Sequence, residues 1–219
     1  KHTREKLQFY VFLVFISLLF DRNKQKMRSN SLSLKYIFAS NQSLSMQFNT
    51  LTVNDVRKET NDTVSVAFSI PSEINKDDYA FIPGQYITLK TTIDGEDVRR
   101  AYSVCSSPSE NELRVAIKQV PDGVFSTYAN NTLKIGDSLE VMTPMGHFYS
   151  EFKSANKKQY VAFAAGSGIT PVLSIIKHVL ETELESSFTL LYGNKDVDSI
   201  IFGKELDQIK NAYPARFNM

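Results

Sequence analysis

The sequence predicts a β plus α/β fold: a six-stranded antiparallel β-barrel over residues 46–150, then an incomplete doubly wound parallel sheet over residues 158–219. Three observations predict it. Between positions 46 and 149, short segments alternate apolar and polar residues with a period of two and are separated by turn residues. From position 160 onward, continuous apolar runs alternate with stretches of helical spacing. The 219 residues, 42% hydrophobic and 22% charged, are enough for two buried cores and too apolar for a disordered chain.

Residues 1–45 stand apart from both parts. They contain no Gly and no Pro, although the chain has nine and seven of these. Residues 7–20 are a nearly continuous apolar run behind Lys1, Arg4 and Lys6, the layout of a secretory signal. The run is short for a membrane-spanning helix, which needs about 20 residues. The basic stretch Arg22, Lys24, Lys26 and Arg28, with no clean small-x-small site after the run, weakens the signal reading. Met46 directly precedes the first periodic strand, so the segment is expected to be a non-domain extension outside the native coding sequence, and dispensable. A short membrane anchor is the lesser alternative, and no membrane partner is expected.

Charge and cysteine content exclude several function classes. The chain carries 25 Lys and Arg against 24 Asp and Glu, but residues 1–45 hold eight basic and two acidic side chains, leaving 17 against 22 in the remainder. A mildly acidic body without a basic run has no electrostatic reason to bind nucleic acid. The single cysteine, Cys105, excludes a disulfide framework, a multi-cysteine zinc site and a cysteine-ligated iron–sulfur cluster within this chain, and fits a reducing, cytoplasmic compartment. His147 and His178 lack metal-ligand spacing, so no metal is expected; His147 is assigned to a loop and His178 to the polar side of its helix.

The elements follow in order. Residues 48–56 and 63–70 read as an opening antiparallel pair turning at Asn61 and Asp62. Residues 86–93 and 97–104 flank Asp94-Gly95, a dipeptide that accepts the positive φ angles of a tight hairpin. Residues 113–120 and 138–143 are further strands, with a short helix over 123–128 between them. After a polar spacer at 150–159, residues 160–165 form a buried strand. Val172, Ile175, Ile176, Val179 and Leu180 then mark one face of a helix. Residues 188–192 are a second buried strand, and Phe202, Leu206 and Ile209 a second helical stripe starting near Asp198 and Ser199. This sheet is expected to be covered on both faces, and with two strands written by Met219 the chain reads as C-terminally truncated.

Three constellations carry chemistry. Gly166-Ser167-Gly168-Ile169-Thr170-Pro171 lies between strand and helix, where backbone N–H groups and the helix dipole converge and a phosphate can approach the main chain. Thr170 is expected as N-cap and Pro171 as the first helical residue. The alternative is a tight turn with no ligand, since the Rossmann fingerprint asks for a glycine where Pro171 stands. Arg100-Ala101-Tyr102-Ser103 puts Arg100 and Tyr102 on one face of a strand and Ala101 and Ser103 on the other. The arginine can clamp a diphosphate and the tyrosine can lie against a flat heteroaromatic ring; alone, the pair also fits an exposed Arg beside a half-buried Tyr. Gly123-Val124-Phe125-Ser126 opens a helical turn and offers backbone donors to a second phosphate site, or is capped by solvent.

Taken in chain order, Pro83-Gly84-Gln85-Tyr86, Arg100-Ala101-Tyr102-Ser103, Gly123-x-x-Ser126, Pro144-x-Gly146-x-Phe148 and Gly166-x-Gly168-x-x-Pro171 resemble the ferredoxin-NADP reductase superfamily over residues 47–215. Tyr192-Gly193-Asn194-Lys195 after the second parallel strand is similar to the reductase subunits of phenylacetyl-CoA epoxidases and related multicomponent oxygenases. The resemblance implies a flavin-binding barrel and a nicotinamide dinucleotide-binding sheet, with FAD and NADPH as cofactors and NADH as the alternative coenzyme. Arg100 would hold the flavin diphosphate, Tyr102 would stack on the isoalloxazine, Ser103 would hydrogen-bond near N5, and Ala101, Ile117 and Lys118 would complete the flavin wall. Gly123, Val124, Phe125 and Ser126 would cradle the diphosphate from the other side. Gly166, Ser167, Gly168, Ile169, Thr170 and Pro171 would take the nicotinamide dinucleotide, with Thr170 near its reactive end. Tyr192, Gly193, Asn194 and Lys195 would lie near the adenosine. Ser103, Tyr102 and Thr170 are thus the candidate catalytic residues for hydride transfer from NAD(P)H to flavin.

The same resemblance implies a ferredoxin-type domain or an oxygenase component as the partner receiving electrons. A 2Fe-2S cluster could reside only in a further C-terminal domain. The family's late Cys-Gly segment is not present in these residues, which leaves two other readings open: a flavin-binding electron-transfer subunit that does not oxidise a nicotinamide, and an inactive truncated fragment.

Overall fold

The computed structural model describes residues 9–13 and 48–219. The elements are β1 (Phe9–Leu13), β2 (Phe48–Thr60), β3 (Thr63–Ser69), β4 (Tyr86–Ile93), β5 (Glu96–Ser103), β6 (Leu113–Lys118), α1 (Val124–Asn131), β7 (Ser138–Met142), β8 (Gln159–Ala165), α2 (Ile169–Thr182), β9 (Ser187–Gly193), α3 (Gly203–Ala212) and β10 (Phe217–Asn218). They form a six-stranded antiparallel sheet and a smaller parallel sheet.

The antiparallel sheet runs β5-β4-β7-β2-β3-β6. It closes into a barrel because its two edge strands meet: Val104, just past β5, bridges Val115 of β6, and the Cys105 N–H donates to the Arg114 carbonyl at 2.9 Å. Asp94 and Gly95 turn the β4–β5 hairpin with φ angles of 52° and 83°, the positive pair a two-residue hairpin needs. Alternate residues point inward, so Leu51, Val53, Val66, Ile87, Leu89, Val115, Ile117, Leu139 and Val141 are fully buried together. Each such side chain contributes about 1.5 to 3 kcal/mol of burial. β2 extends four residues past the expected Val56, through polar Arg57, Lys58 and Glu59. Its alternation breaks there because register shifts fall between Val53 and Asp55 and between Lys58 and Thr60.

The parallel sheet runs β1-β8-β9-β10. Tyr160, Ala162 and Ala164 of β8 and Phe188 and Leu190 of β9 pack with the apolar sides of α2 and α3 in one core. The opposite face is open among the described residues: Phe163 and Leu191, paired in register, are 40% and 47% exposed. Of the cover expected on both faces, the described residues supply one. β8, β9 and β10 advance in one direction across the sheet, so right-handed crossovers put both helices on one side. The continuous apolar runs report the strand type and not its cover.

Phe9–Leu13, expected to lie outside any domain, is hydrogen-bonded in parallel to β8 from Gln159 to Phe163. A short apolar run serves equally as a buried strand or as the hydrophobic stretch of a signal, and composition alone does not separate the two. The remainder of residues 1–45, including the expected signal-like run beyond position 13 and its basic stretch, lies outside the described residues.

Two helix starts differ from expectation. A 3-10 turn over Gly166–Gly168 runs directly into α2, with Gly166 at φ 50°. The turn therefore begins before Thr170, whose hydroxyl donates to the Ser167 carbonyl at 3.1 Å and does not act as N-cap. Pro171 falls inside the first turn of α2, not at its first position. α3 begins at Gly203, not near Asp198 and Ser199, because those residues form a separate 3-10 turn and Phe202 adopts a left-handed φ of 62°. No described helix is long and apolar enough to cross a membrane.

Candidate functional site

A cavity of about 290 Å³ lies where the barrel meets the start of α2, lined by residues from four places in the sequence. β5 supplies Arg100, Ala101, Tyr102 and Ser103; β6 supplies Ala116 and Lys118; Val120, Gly123, Phe125 and Ser126 come from the start of α1; Ser167 and Thr170 come from the parallel-sheet half.

The hairpin register sets the first wall. Arg100 and Tyr102 pair with Leu89 and Ile87, on the side of the sheet that carries the barrel core, and Ala101 and Ser103 pair with Thr88 and Tyr86 on the other. The Tyr102 ring lies 5.7 Å from the Phe125 ring, tilted by 38°. Burial disfavours the phenolate and pushes the Tyr102 hydroxyl up to about 12, so the ring is neutral at every ordinary pH. Arg100 is exposed at the rim and donates to the Arg99 carbonyl at 2.7 Å; no carboxylate pairs with it among the described residues. Its charge is therefore available to an anion.

The second wall is the N-terminal turn of α1. Gly123 is its N-cap and makes no side-chain cap hydrogen bond, so the first N–H groups of the helix are left for another acceptor. A Cβ on Gly123 would sit 2.4 Å from Ser126 Oγ and 2.5 Å from Val120 Cγ2. Ser126 Oγ fixes the turn, accepting from the Val120 N–H at 3.2 Å and donating to the Gly123 carbonyl at 3.1 Å. Gly123 also borders a second, more open hollow of about 640 Å³ lined in part by Thr92, Asp94, Val124, Thr127 and Tyr128.

Of the other expected residues, Ile117 is fully buried in the barrel core, and it is its neighbours Ala116 and Lys118 that reach the cavity. Ala116 and Val120 were not anticipated. The two-residue period counted back from Lys118 identifies Ala116 and removes Ile117. Val124 points away, 49% exposed, into the second hollow. In the glycine turn only Ser167 and Thr170 line the cavity; Gly168, Ile169 and Pro171 are buried beneath it. Gly166 has open space above its Cα, so a ligand can approach the main chain there.

The second expected nucleotide segment sits at the end of β9. The Tyr192 hydroxyl donates to the Gly166 carbonyl at 2.9 Å, tying the two segments together, and burial pushes this phenol up as well. Asn194 Oδ1 is shielded from solvent and accepts no hydrogen bond, an orphaned acceptor at the ligand-facing end of a parallel strand. Gly193 and Lys195 are exposed. Neither histidine lines the cavity. His178 is not on a polar side: it is half-buried with its ring 5.2 Å from Phe152, and burial lowers its pKa. Cys105 is buried, its Sγ donating to the Arg114 carbonyl at 3.3 Å.

These residues fit a flavin dinucleotide beside a nicotinamide dinucleotide. The donor set is a free guanidinium and an uncapped helix N-terminus for a diphosphate. An apolar floor of Ala116, Val120 and Phe125 suits a flat ring, and a glycine-lined helix start opposite suits a second phosphate group.

Comparisons with known proteins agree. Residues 50–149 match the family described as Oxidoreductase FAD-binding domain, and residues 163–219 the Oxidoreductase NAD-binding domain. The chain is 45% identical over 172 residues to a component of the 1,2-phenylacetyl-CoA epoxidase of Escherichia coli (strain K12), covering 78% of this chain and 48% of that protein. It is 39% identical over 171 residues to the ferredoxin reductase component of 3-ketosteroid-9-alpha-monooxygenase of Rhodococcus rhodochrous, covering 77% and 47%. The chain thus spans about half the length of these curated relatives. Among solved structures it is similar to the flavohem-like FAD/NAD binding domain of nitric oxide dioxygenase from Vibrio cholerae, with a TM-score of 0.65 and 26% identity over 77% of this chain and 71% of that one. With an Oxidoreductase FAD-binding domain followed by an Oxidoreductase NAD-binding domain, the chain belongs to the ferredoxin-NADP reductase family.

Proposed function

We propose that this chain carries the flavin and nicotinamide sites of a cytoplasmic reductase that serves an oxygenase, with a ferredoxin-type iron–sulfur domain or the oxygenase component as acceptor, in phenylacetate-type aromatic degradation. The observation that carries the reading is the single cavity bounded by Arg100, Tyr102 and Ser103 on the barrel side and by Ser167 and Thr170 on the other. Similarity to components of an epoxidase and of a monooxygenase supports the class of acceptor.

When bound, FAD accepts a hydride from the nicotinamide and releases its electrons singly. Around it, Arg100 would pair with the diphosphate and the Gly123 to Ser126 turn would donate backbone N–H groups to it. Tyr102 would lie against the ring, and the Ser103 hydroxyl would hydrogen-bond at its reactive edge. The open hollow beyond Gly123 supports a dinucleotide flavin over a mononucleotide. Gly166 to Thr170 would receive the nicotinamide dinucleotide, with Asn194 and Lys195 at its far end. Lys195 is exposed with no ion-pair partner among the described residues, so its ammonium is free to meet a 2′-phosphate, which supports NADPH over NADH. The protein's contribution is to hold both ligands in one orientation.

Anaerobic addition of one equivalent of NADPH to the FAD-loaded chain tests this. Full bleaching of the flavin absorbance is expected. FAD binding without bleaching would favour an electron-transfer subunit, and no FAD binding would reject the reading.

A further inference from the structure

α2 is buried almost all round, yet three polar side chains, Ser174, Lys177 and Glu181, lie along one stripe at i, i+3 and i+7. All three reach the same target, the barrel loop 105–110 that directly follows Ser103. Ser174 Oγ donates to the Ser106 carbonyl at 2.6 Å, with both residues fully buried. Lys177 Nζ pairs with both oxygens of Glu110 at 3.1 Å and also with Glu205 of α3, while its side chain is only 10% exposed. Glu181 accepts from the hydroxyls of Ser107, at 3.0 Å, and Ser109. Ser107 is itself held by Glu110, which accepts from its N–H at 2.6 Å.

This stripe has a place in the cavity's geometry. The loop it grips continues β5, which carries the barrel wall, and the first turn of the helix it belongs to includes Thr170, which lines the opposite wall. The other packing between the halves around Cys105 and Ala116 is apolar and without direction. Buried hydrogen bonds and ion pairs do have direction and register.

We propose that Ser174, Lys177 and Glu181 are positioning residues that lock α2 to the loop after Ser103 and so set the separation and orientation of the two cavity walls. The inference rests on the functional reading above for its kinetic consequence but not for its structural one. Lys177 is the keystone, because its ammonium joins the barrel through Glu110 and α3 through Glu205 from its place on α2.

The test compares the FAD-loaded wild-type chain with Lys177→Met and Lys177→Arg, reading hydrogen exchange in residues 105–110, FAD affinity, and the limiting rate and apparent Kd for NADPH reduction of the flavin. In Lys177→Met, exchange in 105–110 is expected to rise and the limiting rate to fall roughly 10- to 100-fold, the cost of a misplaced but still bound substrate. FAD affinity and apparent NADPH Kd should stay within about twofold, and Lys177→Arg should recover most of both losses. Unchanged exchange and rate in Lys177→Met would overturn the proposal, as would equal loss of FAD affinity and rate. If Lys177→Met does not fold, Ser174→Ala removes one buried hydroxyl and must show the same two changes at smaller size, and their absence overturns it. If the wild type itself oxidises no NADPH, the functional reading falls, and the exchange readout still decides the lock.

Discussion

The Ser126 hydroxyl folds back onto the Gly123 carbonyl at 3.1 Å and occupies the space a Cβ on Gly123 would need. The φ of Gly123, at −81°, is open to any residue, so the constraint is this approach alone: a Cβ would have to displace the Ser126 hydroxyl that fixes the turn, and the Val120 side chain with it. Gly123→Ala is therefore expected to displace the first turn of α1 and lower FAD affinity by at least tenfold while the barrel stays folded; about 1.4 kcal/mol of lost phosphate contact is enough for that. Fluorescence titration with FAD, alongside circular dichroism, checks both parts.

Arg100→Ala should weaken FAD binding more than Ser103→Ala. A hydrogen bond to a charged group contributes roughly 1.5 to 3 kcal/mol against about 1 for a neutral one. The exposure of Arg100 puts its contribution at the lower end of that range. Equal affinities for wild type and Arg100→Ala in a flavin titration would remove β5 from the cofactor site. Ser103→Ala should instead slow flavin reduction.

The Arg114 guanidinium, buried between β2 and β6, donates to Glu112 at 2.8 Å on two oxygens and also pairs with Asp55. The Arg114 hydrogen bond holds the Glu112 carboxyl below its ordinary value of 4.5, against the opposing effect of burial. A depressed carboxyl stabilises the fold above its unfolded pKa, and that stability is lost as pH falls through the folded value. Thermal melts should therefore show Tm falling below about pH 4.5, with a shallower fall in Glu112→Gln. Identical pH profiles would mean that the pair contributes nothing.

The barrel strands, the Asp94-Gly95 hairpin and the β-α-β start of the second half were legible from the sequence, because period two, period 3.6 and a turn dipeptide each have one dominant structural cause. The cavity residues of β5 and α1 were legible through their motifs. The side chain of Ile117 turns into the barrel core, and counting in twos from Lys118 puts Ala116 on the cavity side. The start of α2 was misread because Thr170 followed by Pro171 looks like a cap, whereas a glycine at φ 50° lets the turn begin at Gly166. Which sheet face the two helices cover was not legible: Phe163 and Leu191 are apolar yet exposed among the described residues, because crossover handedness and not hydrophobicity puts α2 and α3 on the other side.

Removal of residues 1–45 is expected to lower Tm by a few degrees and leave the flavin content per mole unchanged. Phe9–Leu13 is hydrogen-bonded to β8 in the parallel sheet, and the barrel that lines most of the cavity does not include it. A shortened chain with unchanged Tm would show that β1 contributes no stability, and one that lost its flavin would show that the barrel depends on it.

Coenzyme choice is expected to follow Lys195. Lys195→Ala should lower kcat/KM for NADPH by about three- to tenfold, the worth of one screened phosphate contact, and leave NADH nearly untouched. Parallel losses with both coenzymes would place Lys195 outside the site.

In the function proposed here, one cavity between the barrel and α2 brings nicotinamide and flavin together for direct transfer. Single-turnover reduction of the FAD-loaded chain by NADPH and by NADPH deuterated at nicotinamide C4, followed anaerobically by stopped flow, tests it most directly. Complete bleaching at one equivalent is expected, slower with the deuterated coenzyme, with a limiting rate that falls in Ser103→Ala. Rates identical for the two isotopic forms and unaffected by Ser103→Ala, or tight binding of both cofactors with no bleaching, would contradict it.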